Sequence, residues 1–452
     1  MKASLVKTRL IAIIVLIAGV SMVLLPFFAI LTVWAGANFG HYTAFRLWIE
    51  DLVFIIGLGV IWLLITDHQM AKQIVKNKLS WVIGGYVILE LIMALAAHLN
   101  RSVSAKALAY GMLDDLRFLA FFIICWVAAL YSKKLNSIWY KIVLIPAVIV
   151  VGFGLLQMSV LPANFLVHFG YSAKTIMPFQ TINNNSKYVR ILSTLRGANP
   201  LGAYLILPIS VLAVLLVKYP KSWTWAKILL LIASFVVLYG SYSRAAWIGA
   251  VLACLAAGLS LIRIKWLIKY KWPLIIGGGI ILIGLVFAGY SLRHSTEFQN
   301  VIFHTQTNSA SPISSDQAHL LAIIAGIKYL SHRPLGAGPG VSGPASFYNH
   351  YRPARIPENY FLEIGEETGW LGMVLFILIN VFLGYQLWLR RSSPFALALL
   401  VSLIGITLVN LVSLAWTDDT LSYLWWGLAG LTMSIPIVNN KAKAKVKRSN
   451  AI

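Results

Sequence analysis

Charge is scarce in this 452-residue chain, where Asp, Glu, Lys and Arg together make up 11% of the residues. Soluble globular proteins carry about a quarter, so a water-facing fold with a polar surface is excluded. Cysteine is nearly absent too, and Cys125 and Cys254 both lie inside apolar runs. That leaves no disulfide framework and no thiolate metal site, which removes redox and zinc chemistry. Alternating apolar and polar residues are also lacking, which excludes a transmembrane β-barrel. What the chain has instead is Leu, Ile, Val and Ala in long runs between short charged stretches, with 59% hydrophobic residues and a mean hydropathy of +0.81. This is the pattern of a polytopic membrane protein, with room for about a dozen helices at roughly 20 residues per span.

The apolar runs place twelve spans at about 10–35, 47–66, 80–98, 112–131, 138–160, 199–217, 225–242, 244–262, 273–291, 369–389, 394–413 and 421–437, with ends uncertain by roughly 2–4 residues. The expected fold is an all-α transmembrane bundle. It forms a single domain over 1–440, with a smaller outer loop at 162–199, a large outer loop at 292–368 carrying short surface helices, and a basic tail at 441–452. The first run is too long and apolar for a cleaved signal and is read as retained. Lys and Arg in short loops set orientation. With the N-terminus inside, 23 of the 37 basic residues fall on the cytoplasmic face together with a single acid, Asp67. Both termini are then cytoplasmic, and the net charge of +23 is mainly a topology signature. Anionic lipid suffices as the partner of the tail, and no nucleic-acid partner is implied.

The remaining basic residues run against that bias: Arg46, Arg101, Lys106, Arg117, Lys174, Lys187, Arg190, Arg196, Arg244, Arg293, Lys328, Arg333, Arg352 and Arg355. Arg196 precedes Gly197-Ala198-Asn199-Pro200, where Asn199 can cap a helix and Pro200 fits its first turn. Unpaired N–H groups at that end, together with Arg196, would favour an anion. The bland alternative is an ordinary Asn-Pro cap with an interfacial arginine. Arg244 sits in a very short outer turn, Gly240-Ser241-Tyr242-Ser243, and either meets an anion at headgroup depth or snorkels to lipid phosphate.

In the large loop, Ser314-Ser315-Asp316-Gln317 predicts a capping box for a helix to about Leu330 with an apolar face of Leu320, Ile323, Ile324, Ile327 and Leu330. His319 near its start and Arg333 after its end face substrate or form its polar rim. Gly338 to Gly343 reads G-x-G-x-x-G, but Pro344 follows and no strand precedes it, so it is not a dinucleotide fingerprint and no cofactor is implied. Gly338 and Gly340 can still expose N–H groups to a phosphate, or simply reverse the chain. Next, Pro357 is expected to open a helix that puts Glu358, Leu362 and Glu366 on one face, with Glu363 and Glu367 on a neighbouring one. Glu358 follows a basic aromatic loop holding Tyr348, His350, Tyr351, Arg352 and Arg355, where a carboxylate can act as general base beside anion binders. Asp418 and Asp419 read as caps of the last span.

Taken in order, Thr194-Leu195-Arg196-Gly197-Ala198-Asn199-Pro200-Leu201-Gly202, Ser243-Arg244-Ala245-Ala246-Trp247, His332-Arg333-Pro334-Leu335-Gly336 and Glu358-Asn359-Tyr360-Phe361-Leu362-Glu363 resemble the O-antigen ligase and O-antigen polymerase superfamily over roughly the second half of the chain. The resemblance implies an integral-membrane glycosyltransferase that needs neither metal nor nucleotide sugar. It would move a glycan from a polyprenyl diphosphate carrier to an acceptor hydroxyl on the outer face of the cytoplasmic membrane. It assigns Arg196 and Arg244 to the diphosphate; from the loop residues themselves, Arg333, His319, Arg352, Arg355, Asn359, Gly338 and Gly340 are read as further substrate contacts. The family usually has His-Asn where this chain has Glu358-Asn359. Glu358 is therefore read as the base, with His350 or His319 as substitutes. A transporter or flippase of a lipid-linked sugar is the alternative from another class; it would place ionisable groups at mid-membrane depth, where Glu90 is the clearest acid, and would show an internal repeat, which is not detected.

Overall fold

The structure, a computed structural model, describes residues 2–182, 185–260 and 313–437 and a few positions between 287 and 300. The expected span at 273–291 falls almost entirely, and the basic tail at 441–452 entirely, outside the described residues.

In hydrocarbon each backbone N–H and C=O must be satisfied within its own segment, so the apolar runs become helices. They are α1 (Lys2–Leu24), α2 (Phe28–Phe39), α3 (Tyr42–Arg46), α4 (Trp48–Thr66), α5 (His68–Val75), α6 (Lys78–Leu99), α7 (Ala105–Tyr131), α8 (Lys134–Ser137), α9 (Trp139–Ser159), α10 (Ala198–Lys218), α11 (Thr224–Gly240), α12 (Arg244–Leu259), α13 (Ser315–His332), α14 (Tyr360–Leu389), α15 (Pro394–Asn410) and α16 (Asp419–Thr432). Among the described residues, six stretches are long and apolar enough to cross a membrane: Leu5–Phe39, Trp48–Thr66, Lys78–Leu99, Trp139–Ser159, Ala198–Lys218 and Tyr360–Leu389. Helices stand at the other expected spans among the described residues. However, α11, α12 and α15 have only 16 or 17 residues, α16 has 14, and α7 carries Asp114, Asp115 and Arg117. The chain is not wholly α-helical, because the segment expected to be a plain outer loop folds into an antiparallel hairpin of β1 (Gln180–Ile182) and β2 (Asn185–Arg190), pairing Gln180 with Arg190.

The core gathers around α7, α10, α15 and α16, with Trp416, Trp425, Trp426, Tyr423, Phe118, Phe121 and Phe122 fully buried. Outward-facing residues are equally apolar: Phe54, Trp81 and Leu229 are each more than 65% exposed. A hydrocarbon surrounding accounts for that, where water would not.

One irregularity shapes the site. Gly369 interrupts α14 at φ 72°, a left-handed conformation that costs glycine little. The break frees the carbonyls of Glu366 and Glu367, and the glycine-rich loop satisfies them: Ala337 and Gly338 N–H donate to them at 3.0 and 2.9 Å, while Trp370 N–H donates to Pro334 O at 3.0 Å. Irregular backbone within a membrane helix survives when neighbouring protein supplies the missing partners.

Candidate active site

Helix α4 has an acid at each end. At one end Asp67 accepts from Lys7 Nζ at 2.8 Å and from Tyr131 at 2.9 Å, and it caps α5 through Met70 N–H. Those contacts, Lys7 first, hold its carboxyl down at about 2. At the other end Glu50 meets Arg117 at 3.2 Å, and the residues singled out from sequence collect there.

Arg196 is the first node. Its Nε lies 2.9 Å from Asp418 Oδ2, and its Nη2 donates to Thr417 O at 3.1 Å. Arg117 donates to the same carbonyl at 2.9 Å and pairs with Asp419, Asp114 and Glu50. Arg117 is buried, so this is a desolvated cation balanced by carboxylates from three helices, an arrangement that fails if one partner is removed. Arg46 stands beside it: burial pulls its guanidinium down, but Asp419 and Asp114 outweigh that and leave it above its ordinary range. Burial pushes the Asp418 carboxyl up, and Arg196 opposes the rise. Asp418 does cap α16 as expected, accepting from Leu421 N–H at 3.1 Å, but it also holds Arg196.

Arg244 is the second node. It starts α12 and pairs with Asp316 through both Nη atoms. Asp316 is in the first turn of α13, whose capping box between Ser314 and Gln317 forms as the sequence predicts. One turn along the same face stands His319, with Nδ1 3.4 Å from Glu358 Oε2. Glu358 does not lie on a helix opened by Pro357. Asn359 is the N-cap, accepting from Leu362 N–H at 3.0 Å, so Glu358 sits outside α14 with φ 52°. A non-glycine residue in that region is strained and persists where its surroundings fix it. Asn359 Nδ2 also donates to Leu411 O at 2.9 Å, tying Glu358 to the 411–418 turn that ends at Asp418.

A third arginine closes the circuit. Asn199 does not cap α10; Gly197 is the N-cap, and Ala198 N–H donates instead to Gln180 Oε1 at 3.0 Å. The Asn199 side chain is thereby left to accept from Arg190 Nη2, while Arg190 Nε donates to Ser241 O at 2.9 Å in the turn before Arg244. Arg196, Asn199, Arg190, Ser241, Arg244, Asp316, His319, Glu358, Asn359, Leu411 and Asp418 thus form a ring at one end of the bundle, in which side-chain contacts alternate with short stretches of chain.

Other predicted contacts fall beside this ring. Arg333 and Arg355 lie 5.2 and 4.2 Å from the centre of the Tyr329 ring, and Arg352 donates to its hydroxyl at 3.1 Å. Arg355 also forks onto buried Glu366, with Nη2 at 2.9 Å. The glycine loop is spent on packing. Gly338 N–H goes to Glu367 O and Gly340 N–H to Glu367 Oε1 at 2.8 Å, so neither is offered to a phosphate in this arrangement. Gly340 also approaches Gly111 so closely that a side chain at position 111 would strike its backbone. Glu363, Glu366 and Glu367 are all buried, with Glu366 holding Arg355 and Glu367 the Gly340 N–H. Glu90 is buried as well, accepting from Tyr86 at 2.7 Å. Among the described residues no His, Cys, Asp and Glu group is arranged for a metal.

Residues 228–377 match the family model described as O-antigen ligase. That segment, about a third of the chain, is similar to the O-antigen ligase family. It runs from α11 into α14 and so contributes Arg244, Asp316, His319 and Glu358 to the ring, while Arg190, Arg196 and Asp418 come from outside the matched segment. No curated protein matches the chain.

Sequence reading alone missed the carboxylates that position the arginines. Asp418 looked like a cap and is one, while Asp316 looked like part of a capping box and stands in the first turn of α13, whose N-cap is Ser314. What was available as a signal was their position: each stands at a helix start on the face where unpaired arginines had been counted.

Proposed function

We propose that this protein is a membrane glycosyltransferase of the ligase or polymerase type, acting on the outer face of the cytoplasmic membrane with a polyprenyl diphosphate-linked glycan as donor and a glycan or lipid-linked glycan hydroxyl as acceptor. The ring of contacts carries the reading: it unites Arg196, Arg244, His319, Glu358 and Asn359, from four separate segments, at one end of the bundle. Two arginines beside a carboxylate suit this chemistry. As the C–O bond from the sugar to the diphosphate breaks, charge develops on the leaving oxygen, and guanidinium donors stabilise it. Glu358 takes the proton of the acceptor hydroxyl as its oxygen bonds to the anomeric carbon. Arg333 and Arg352 near Tyr329 extend the cationic surface toward the acceptor.

A second assignment has one observation in its favour. His319 Nδ1 lies 3.4 Å from Glu358, so Glu358 can orient the imidazole while His319 removes the proton. Release of polyprenyl diphosphate by purified protein, compared among wild type, Glu358→Gln and His319→Gln, separates the two. A general base supplies about 10²–10⁴-fold. If Glu358 is the base, Glu358→Gln falls by that factor and His319→Gln by much less; equal, unchanged rates in both would remove the pair from the chemistry.

A further inference from the structure

Arg190 differs from the other arginines of the ring. Arg117, Arg196, Arg244 and Arg355 each meet an Asp or Glu. Arg190 meets two neutral oxygens, Ser241 O and Asn199 Oδ1, and makes no ion pair with any described residue. Burial, with Arg244 nearby, pulls its guanidinium down to about 10. Of its five N–H donors these contacts use two.

Beside it the β-hairpin and the start of α10 enclose a cavity of about 540 Å³, lined by Met177, Phe179, Thr181, Arg190 and Asn199 among others. That size is within the range of small-ligand sites, which are typically apolar walls with a few placed polar groups. Phe179 and Met177 offer the apolar wall, Thr181 and Asn199 the neutral polar groups, and Arg190 a cation with no ion pair among the described residues. A bare phosphate has no use for the apolar side, whereas a sugar ring carrying an acidic group uses both. Position agrees, because Asn199 is three residues from Arg196 and Ser241 three from Arg244. The cavity therefore flanks the proposed diphosphate site, where the sugars attached to that diphosphate must lie.

We propose that this cavity is a glycan subsite for an acidic sugar, with the Arg190 guanidinium receiving the sugar's oxyanion. The proposal rests on the transferase reading for its choice of ligand, so its test reads binding rather than turnover. Full-length protein purified in detergent is titrated with glucuronate, glucose and inorganic diphosphate, following the shift in thermal unfolding, for wild type, Arg190→Gln and Thr181→Glu. The second variant keeps Arg190 and supplies a competing carboxylate within the cavity, so the test survives if Arg190→Gln does not fold. Glucuronate is expected to bind wild type more tightly than glucose and to lose about tenfold or more in either variant, as expected for a charge-assisted contact, with diphosphate affinity unchanged. Glucuronate binding that is unaltered in Thr181→Glu and in folded Arg190→Gln, or absent in wild type, would overturn the proposal. So would a loss confined to diphosphate, which would move Arg190 into the diphosphate clamp. Absence of turnover in a wild type that binds glucuronate, with that binding lost in both variants, would count against the transferase reading and leave the subsite standing.

Discussion

Asp418→Asn tests whether the ring positions Arg196 for function or merely holds helices together. The substitution is nearly isosteric, and asparagine caps helices about as well as aspartate, so the bond from Leu421 N–H survives. The carboxamide oxygen keeps that cap, so the Nδ2 group faces Arg196 Nε and both the charge and the acceptor of the Arg196 contact are lost. Asp418 is buried, with its side chain 3% exposed, and the Arg196 side chain is 28% exposed, so solvent does little to replace the missing partner. A hydrogen bond to a charged group is worth about 1.5–3 kcal/mol, and losing this one costs about that much. If Arg196 must be held in one orientation to meet the diphosphate, that converts to a fall of about 10–100-fold in kcat/KM for donor. Thermal stability should fall by no more than that. Asp418→Ala removes the cap as well, and should show the same kinetic loss plus about 1 kcal/mol of destabilisation. Polyprenyl diphosphate release at sub-saturating donor, measured beside thermal unfolding of the same preparations, separates the two effects. Unchanged kcat/KM in Asp418→Asn, with loss only in Asp418→Ala, would make Asp418 a helix cap and nothing more.

Arg196→Lys and Arg244→Lys keep the charge but lose the planar fork, and each should lower donor use by about 10–100-fold, scored in the same release assay on correctly inserted protein. Arg117→Met leaves Asp419, Asp114 and Glu50 without their cation, and should lower unfolding free energy by about 3–5 kcal/mol, seen as lower thermal stability or failed insertion. Because the folded-state pKa of Asp67 is depressed to about 2, its contribution to stability is fully present above the unfolded value of about 3.9 and is lost as pH falls toward 2. The stability gap between wild type and Asp67→Asn should therefore persist at pH 5 and close below pH 3 in thermal unfolding. Topology is checked by labelling an engineered cysteine at the exposed position Ser331→Cys in intact cells, where reaction only after lysis would overturn the outward site.

Helix positions were legible because a bilayer leaves the chain so few options: a run such as 139–159 has nowhere to place its backbone groups except in a helix. Span number was less legible, because hydropathy treats α16 as a span while its 14 residues are too few at 1.5 Å each for a core of about 30 Å. The same scale misses the hairpin at 180–190, where short strands without alternation give no periodic signal. Within the site, Arg196, Arg244 and Glu358 stood out as charges against the topological bias. Their partners did not, because a carboxylate at a helix start is already explained by capping, and a satisfied local explanation hides a long-range one. Asp316 and Asp418 are hidden in this way.

The glycine-rich loop shows the opposite error. Gly336 to Gly343 looked like an exposed anion cradle because glycine clusters leave N–H groups free, yet the break at Gly369 leaves carbonyls in equal need of donors. Membrane depth decides between the two, since an unpaired carbonyl costs more in hydrocarbon than an unpaired N–H costs at a wet surface. The loop therefore serves the helix break, and through Glu367 and Gly340 it fixes the start of α14, where Glu358 stands. A carboxylate proposed as the base and held in a left-handed backbone needs rigid support, and here backbone irregularity at position 369 supports backbone strain at position 358.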